Sequence, residues 1–245
     1  MKRYTTWLGM PAMFLMLGQF AAPAQPPAAQ ATDEVQVLFI GNSFTYYHEL
    51  PKMVAELAKA GKQRPLRFEQ VTPGGYTLEK HWKDAKALAK IQARKWDFVI
   101  LQEQSQGPLT KRDAMFDYAK KFDAEIKKHG SKTILYMTWA VQNKPDGQAA
   151  ISKAYLDLSK ELKAQLAPVG NAWEAALKAD KNLILHDKDK LHPNTTGTYL
   201  AACVMYATIY GKSPEGLPGS IGKLTDDESR PLQAIAWKTV QPMEE

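Results

Sequence analysis

Cysteine is nearly absent: Cys203 is the only one in 245 residues. An internal disulfide is excluded, and with it a small stapled scaffold; no Cys/His cluster with metal-ligand spacing occurs either. Also missing is a second long apolar run. Beyond the first two dozen residues no stretch approaches the roughly 20 apolar residues needed to span a bilayer. The formal net charge is +6, yet the lysines form neither a block nor a stripe, which argues against a nucleic-acid partner. There is no internal repeat and no domain linker. What remains, 44% hydrophobic and 24% charged, is ordinary globular material, long enough to bury a core without staples.

The N-terminus reads differently from the rest. "MKRYTTWLGMPAMFLMLGQFAAPAQ" carries Lys2 and Arg3, an apolar stretch from Trp7 to Phe20, and Ala22 and Ala24 around Pro23. This pattern predicts a secretory signal peptide over residues 1–24, a disordered leader over 25–34 and one domain over 35–245. The run is short and interrupted by Pro11, so cleavage is expected and not a membrane anchor. The expected location is periplasmic or secreted, with no stable membrane insertion after cleavage. Cys203 sits in the apolar helical stretch "TYLAACVMYATIYG" and reads as a core thiol.

Short apolar runs alternate with amphipathic stretches along the chain. Strands are predicted at "VQVLFI" (35–40), "LRFEQV" (66–71), "DFVILQ" (97–102), "KTILYMTW" (132–139) and near "LAPVG" (166–170), with "NLILH" (182–186) extended into a loop. Helical periodicity marks 50–61, 112–130, 151–166, 194–211 and a final segment capped by Thr225 or Asp226. Apolar strands separated by helices predict an α/β fold: a three-layer α/β/α sandwich around a mainly parallel, flavodoxin-like sheet of about five strands. Right-handed crossovers then bring every strand's C-terminal end to one edge, where ligands bind.

Four features fall at that edge or face it. Ser43 follows the first strand directly, in "VLFIGNSFTYY" (37–47), a position that fits a helix cap or an exposed nucleophile. Asp189 and His192, in "LHDKDKLHPNTTG", put a carboxylate and an imidazole on one turn, as a serine nucleophile requires of its base. "VTPGGYTL" ends the second strand on Gly74 and Gly75, where a backbone N–H can approach a ligand unobstructed. "VILQEQSQGP" ends the third strand on carboxamides able to donate to an oxyanion. Strand alternation puts Gln102 and Gln104 on one face and leaves open which of them does so.

This set resembles the SGNH (GDSL-like) hydrolase superfamily over roughly residues 35–210. Gly41-Asn42-Ser43 matches its first block, Gly75 its second and Asp189-x-x-His192 its last. The third block departs, with Gln102, Glu103, Gln104 and Ser105 in place of Gly-x-Asn-Asp; the whole looks like an exported bacterial branch with a Gln-containing third block. The resemblance implies an ester hydrolase with Ser43, Asp189 and His192 as its catalytic triad. It implies an oxyanion hole from Ser43, Gly75 and Gln104 or Gln102, and no metal or other cofactor. Phe44, Tyr46, Tyr76 and Trp139 are the candidate substrate-binding residues, beside Tyr47, His81 and Trp82, and aromatics at this edge suit a small acyl ester on a glycan. The alternatives are a lysophospholipase or thioesterase acting on longer acyl chains, and an exported carbohydrate-binding protein that has lost catalysis.

Overall fold

The computed structural model describes residues 33–241 together with Met1, Lys2 and Tyr4. The expected signal peptide and all of the leader but its last two residues otherwise lie outside the described residues. In chain order the elements are β1 (Val35–Ile40), α1 (Ser43–Tyr46), a 3₁₀ turn (Tyr47–Glu49), α2 (Leu50–Ala60), β2 (Leu66–Val71), α3 (Leu78–Asp84), α4 (Lys86–Ala93) and β3 (Phe98–Leu101). There follow α5 (Gly107–Thr110), α6 (Arg112–Lys128), β4 (Lys132–Tyr136), α7 (Gly147–Leu162), β5 (Gln165–Ala167), α8 (Val169–Ala179), α9 (Thr195–Tyr210), a 3₁₀ turn (Gly219–Gly222) and α10 (Asp226–Val240).

The five strands pair in the order β2-β1-β3-β4-β5, every pair parallel. That is the flavodoxin-like arrangement expected from the alternation of strands and helices. β1 is buried at all six positions because it serves both faces: Val35, Val37 and Phe39 pack into one core, Leu38 and Ile40 into the other. Side-chain alternation along an extended chain makes this split unavoidable. The first core joins the sheet to α2, α8, α9 and α10; the second joins it to α4, α6 and α7. α9 is apolar all round and buried from Gly197 to Ile209, as a helix covered on every side must be. Cys203 lies within it, fully buried, and burial pushes its thiol up to about 12. Among the described residues no helix is long and apolar enough to cross a membrane.

Two parts of the fold differ from the sequence reading. β3 and β4 stop at Leu101 and Tyr136, short of the apolar runs that encode them, so residues 102–106 and 137–140 leave the sheet edge as loops. The segment read as a strand to residue 170 instead gives β5 and then α8. Pro168 and Gly170 disguise the start of α8, although Val169, Ala172, Trp173 and Ala176 bury one helical face.

Gly170 marks the tightest crossing. A Cβ there would lie 2.1 Å from the Thr138 carbonyl oxygen and 2.4 Å from Gln148 Nε2. The main contact is backbone and cannot swing away. Gly170→Ala is therefore expected to cost about 1–3 kcal/mol as an overpacked core site, read as a lowered thermal midpoint.

Candidate active site

The turn after β1 is built from hydrogen bonds to three neighbours. The Gly41 N–H donates to the Val71 carbonyl of β2 at 3.1 Å, and its own carbonyl accepts from His81 Nε2 of α3 at 2.7 Å. Burial lowers the His81 pKa, opposed by that carbonyl contact. A Cβ on residue 41 would meet Gln102 Oε1 and Thr45 Oγ1 at 2.5 Å each, so only glycine fits. Asn42 is the helix cap: its Oδ1 accepts from the Phe44 N–H at 3.1 Å, and its Nδ2 donates to the Tyr76 carbonyl at 2.9 Å. Because Asn42 takes the capping role, Ser43 is left as the first helical residue with a free hydroxyl.

That hydroxyl donates to His192 Nε2 at 2.8 Å, and His192 Nδ1 donates to Asp189 Oδ2 at 2.5 Å. Proton positions follow from these partners. The loop holding Asp189 and His192 is closed on itself. His186 and Pro193 form an antiparallel bridge, and the Asp187 N–H donates to the His192 carbonyl at 2.8 Å. Asp189 Oδ1 accepts from the Leu191 and His192 N–H groups at 3.0 and 2.9 Å. Burial works against the Asp189 carboxylate, but the His192 imidazole and these two N–H bonds overcome it and hold the pKa at about 2.

Ser43, His192, Gly75 and Gln104 line one small pocket of about 170 Å³, with Asn42, Phe44, Ser105 and Leu191. Among the described residues neither the Ser43 nor the Gly75 N–H has a protein acceptor, so both are available to an oxygen in the pocket. Gly75 has φ +67 with nothing within 4 Å of a Cβ position; its requirement is conformational, not steric crowding.

Gln102 is a correction. Its Nε2 donates to Asn42 Oδ1 at 3.0 Å and to the Glu103 carbonyl at 2.6 Å, which uses both protons. The side chain is fully buried beneath the pocket and has no N–H to offer an oxyanion. Gln104 lines the pocket, with Nε2 donating to Ser105 Oγ at 3.0 Å, which leaves its second proton. Strand alternation fails here because β3 ends at Leu101.

The aromatic expectations divide as well. Phe44 is a pocket wall and stacks flat on Trp139 at 4.4 Å, while Trp139 stacks on Trp173 at 4.0 Å. Trp139 therefore stands behind the wall, 2% exposed, with Nε1 donating to the Leu191 carbonyl. On its other side lies a larger cavity of about 460 Å³, lined by Trp139, Trp173, Leu177, Leu185 and His186 among others. Tyr46 is exposed and Tyr76 packs edge-on against His81; neither is a pocket wall. Trp82 packs edge-on against Phe122, away from the site.

Two residues make contacts with His192 and its loop that the sequence pattern conceals. Tyr47 stacks on the His192 ring at 4.3 Å with a 9° interplanar angle, and Phe44 meets the same ring edge-on. His48 Nε2 donates to the Pro193 carbonyl at 3.1 Å. Both contacts depend on a kink in which His48 (φ 48) and Glu49 (φ 56) are consecutive left-handed residues, a conformation that costs about 1–2 kcal/mol for each non-glycine residue. Periodicity carries no signal for such a turn. Among the described residues no group of three or more His, Cys, Asp or Glu is disposed to hold a metal ion.

No family model and no curated protein matches the chain. Solved structures do. A candidate SGNH hydrolase of Slackia heliotrinireducens is 26% identical, with a TM-score of 0.62 over 72% of this chain and 99% of that one. A DUF4886 family protein of Bacteroides uniformis shares the fold at 18% identity, TM-score 0.71, over 85% and 95% of the two chains. A variant of an acetyl-xylooligosaccharide esterase from Geobacillus shares it at 17% identity, TM-score 0.58, over 72% and 94%.

A stacked tyrosine stabilises an imidazolium as a cation–π face, worth about 0.5–2 kcal/mol. If His192 becomes charged during turnover, Tyr47→Leu is expected to lower kcat by about 2- to 30-fold in a steady-state ester assay. The protein's thermal midpoint should change little.

Proposed function

From the premise that this chain is an ester hydrolase of the SGNH superfamily, we propose that it removes small acyl groups, acetyl above all, from carbohydrate esters through a Ser43–His192–Asp189 triad. The observation that carries this reading is the unbroken hydrogen-bond sequence from the Ser43 hydroxyl through His192 to Asp189. Ser43 Oγ attacks the acyl carbonyl as its proton passes to His192 Nε2. Asp189, ionised down to about pH 2, fixes the tautomer and stabilises the imidazolium. The Ser43 and Gly75 N–H groups, with Gln104 Nε2, receive the negative oxygen. Collapse expels the alcohol, which takes the proton from His192. Water then attacks the acyl-enzyme, His192 again accepting a proton, and as the acyl–Oγ bond breaks that proton returns to Ser43 and the carboxylic acid leaves.

Pocket size supports the small acyl group. About 170 Å³ fits acetyl with its ester oxygen, and the Phe44–Trp139 stack stands between this pocket and the larger cavity that a longer chain would need. The esterases of acetylated xylan and xylooligosaccharides among the structural neighbours are in keeping with a carbohydrate alcohol. Export through an N-terminal signal, read from Lys2, Arg3 and the apolar run that follows, would bring the enzyme to envelope or environmental polysaccharides.

The chemistry is tested with p-nitrophenyl esters of increasing chain length. Turnover is expected to be fastest for acetate and to fall steadily toward dodecanoate; a maximum at the long chains would overturn the small-acyl reading. Ser43→Ala should abolish both turnover and labelling by a fluorophosphonate. A wild-type protein that takes no label would instead identify a binding protein without catalysis. Phe44→Ala, which opens the wall toward Trp139, is expected to raise the octanoate-to-acetate ratio of kcat/KM by about tenfold or more, the scale on which one or two methylenes are discriminated.

A further inference from the structure

Glu103 takes no part in the steps above, yet it is the most constrained carboxyl near the pocket. It is 3% exposed. One oxygen, Oε1, accepts from the Gln104 N–H at 2.6 Å, and the other, Oε2, accepts from the Leu78 N–H at 3.2 Å. Gln104 belongs to the loop after β3. Leu78 opens α3, immediately after the loop that carries Gly75. The two oxygens of one buried side chain thus tie together the two loops that face Ser43 across the pocket. Room for it is left by Gly107, where a Cβ would come within 2.5 Å of Glu103 Cγ.

We propose that Glu103 is a positioning residue whose ionised form holds the Gly75 and Gln104 walls at the spacing an oxyanion requires, a role that rests on the hydrolase reading above. A carboxylate presents lone pairs on both oxygens and satisfies both N–H groups. A protonated carboxyl turns one oxygen into a hydroxyl, a poorer acceptor, and loosens one of the two ties. Its surroundings make this change accessible. Burial pushes the Glu103 carboxyl up to about 7, against the pull of the Gln104 and Leu78 N–H groups. Of the charged groups that face it, Glu79 of α3 raises it further and Lys111, ahead of α6, lowers it. Tyr155 of α7 also faces it and stays un-ionised, its phenol pushed far up by burial. The brace is therefore present above this pKa and lost as pH falls through it.

The experiment follows the Gly75, Leu78 and Gln104 amide resonances of the whole protein by ¹⁵N NMR across a pH titration, alongside kcat. In the wild type the three amides should move together with a midpoint near 7, and kcat should fall with the same midpoint as pH is lowered. In Glu103→Gln the carboxamide oxygen keeps one tie while its NH₂ group opposes the other N–H. The common titration should vanish, kcat should drop by about 10- to 100-fold with KM changed by less than about threefold, and kcat should no longer follow the wild-type amide midpoint. Amides that do not titrate together, or a Glu103→Gln protein with wild-type kcat and pH profile, would overturn the proposal. If Glu103→Gln does not fold, the wild-type titration alone decides. Because the amide shifts need no turnover, a protein that hydrolyses no ester but still shows the common titration would sink the hydrolase reading and leave the brace standing.

Discussion

The carboxamide of Gln102 fastens the turn that carries Ser43 to the sheet. Its oxygen accepts from the Asn42 N–H at 2.8 Å and from the Thr45 hydroxyl at 2.9 Å, and its nitrogen donates to Asn42 and to the Glu103 carbonyl. A buried amide with every position satisfied gains rigidity, whereas a partly satisfied one would cost stability. Gly41 is glycine because this amide occupies the space of its side chain, and Asn42 is the residue that can cap α1 while answering the same amide. The position of Ser43 follows from those two facts. One polar group in the floor of the site explains most of the motif above it.

The opposite half of the site is organised locally. Asp189 and His192 are joined through a short loop whose ends are pinned by the His186–Pro193 bridge and whose middle is held by Asp189 Oδ1. Besides the Ser43–His192 bond, the loop is attached to the body of the protein by the Gln142 N–H to the Lys190 carbonyl at 2.9 Å, His186 Nε2 to the Ala140 carbonyl at 3.0 Å, Trp139 to Leu191, and His48 to Pro193. Three of these anchors come from the loop after β4 and the last from the strained kink after α1. The left-handed pair His48 and Glu49 offsets its conformational cost by placing both Tyr47 and His48 against the base loop. Strain of this kind persists where surrounding contacts over-determine it.

The legible parts of the fold were those written in periodicity. Five apolar runs gave five strands, and the amphipathic stretches at 50–61 and 112–130 gave α2 and α6. The convergence of Ser43, Asp189 and His192 was legible because they sit where a strand end or a polar loop leaves few structural reasons for them. Gln102 and Gln104 could not be separated, since the choice depends on where β3 stops pairing, and an apolar run does not mark that point. Trp139 looked like a pocket wall from its place after a strand; its depth is set by stacking on Trp173, a residue of the helix that Pro168 and Gly170 hid. Tyr46 and Tyr47 are indistinguishable as letters, and only two positive φ angles turn the second toward His192. Glu103 reads as one more polar residue in a loop until its two oxygens are seen to answer two different segments.

The hydrogen bond between Ser43 and His192 joins residues 149 positions apart, whereas the bond from His192 to Asp189 spans three. The acid–base pair can form as soon as its own loop closes, but the serine meets it only after the strands between have taken their places. Contacts of such long range carry the loop-closure entropy of everything they enclose and form late. A partly made or unfolded chain therefore holds these three side chains apart, and only the finished fold assembles the site.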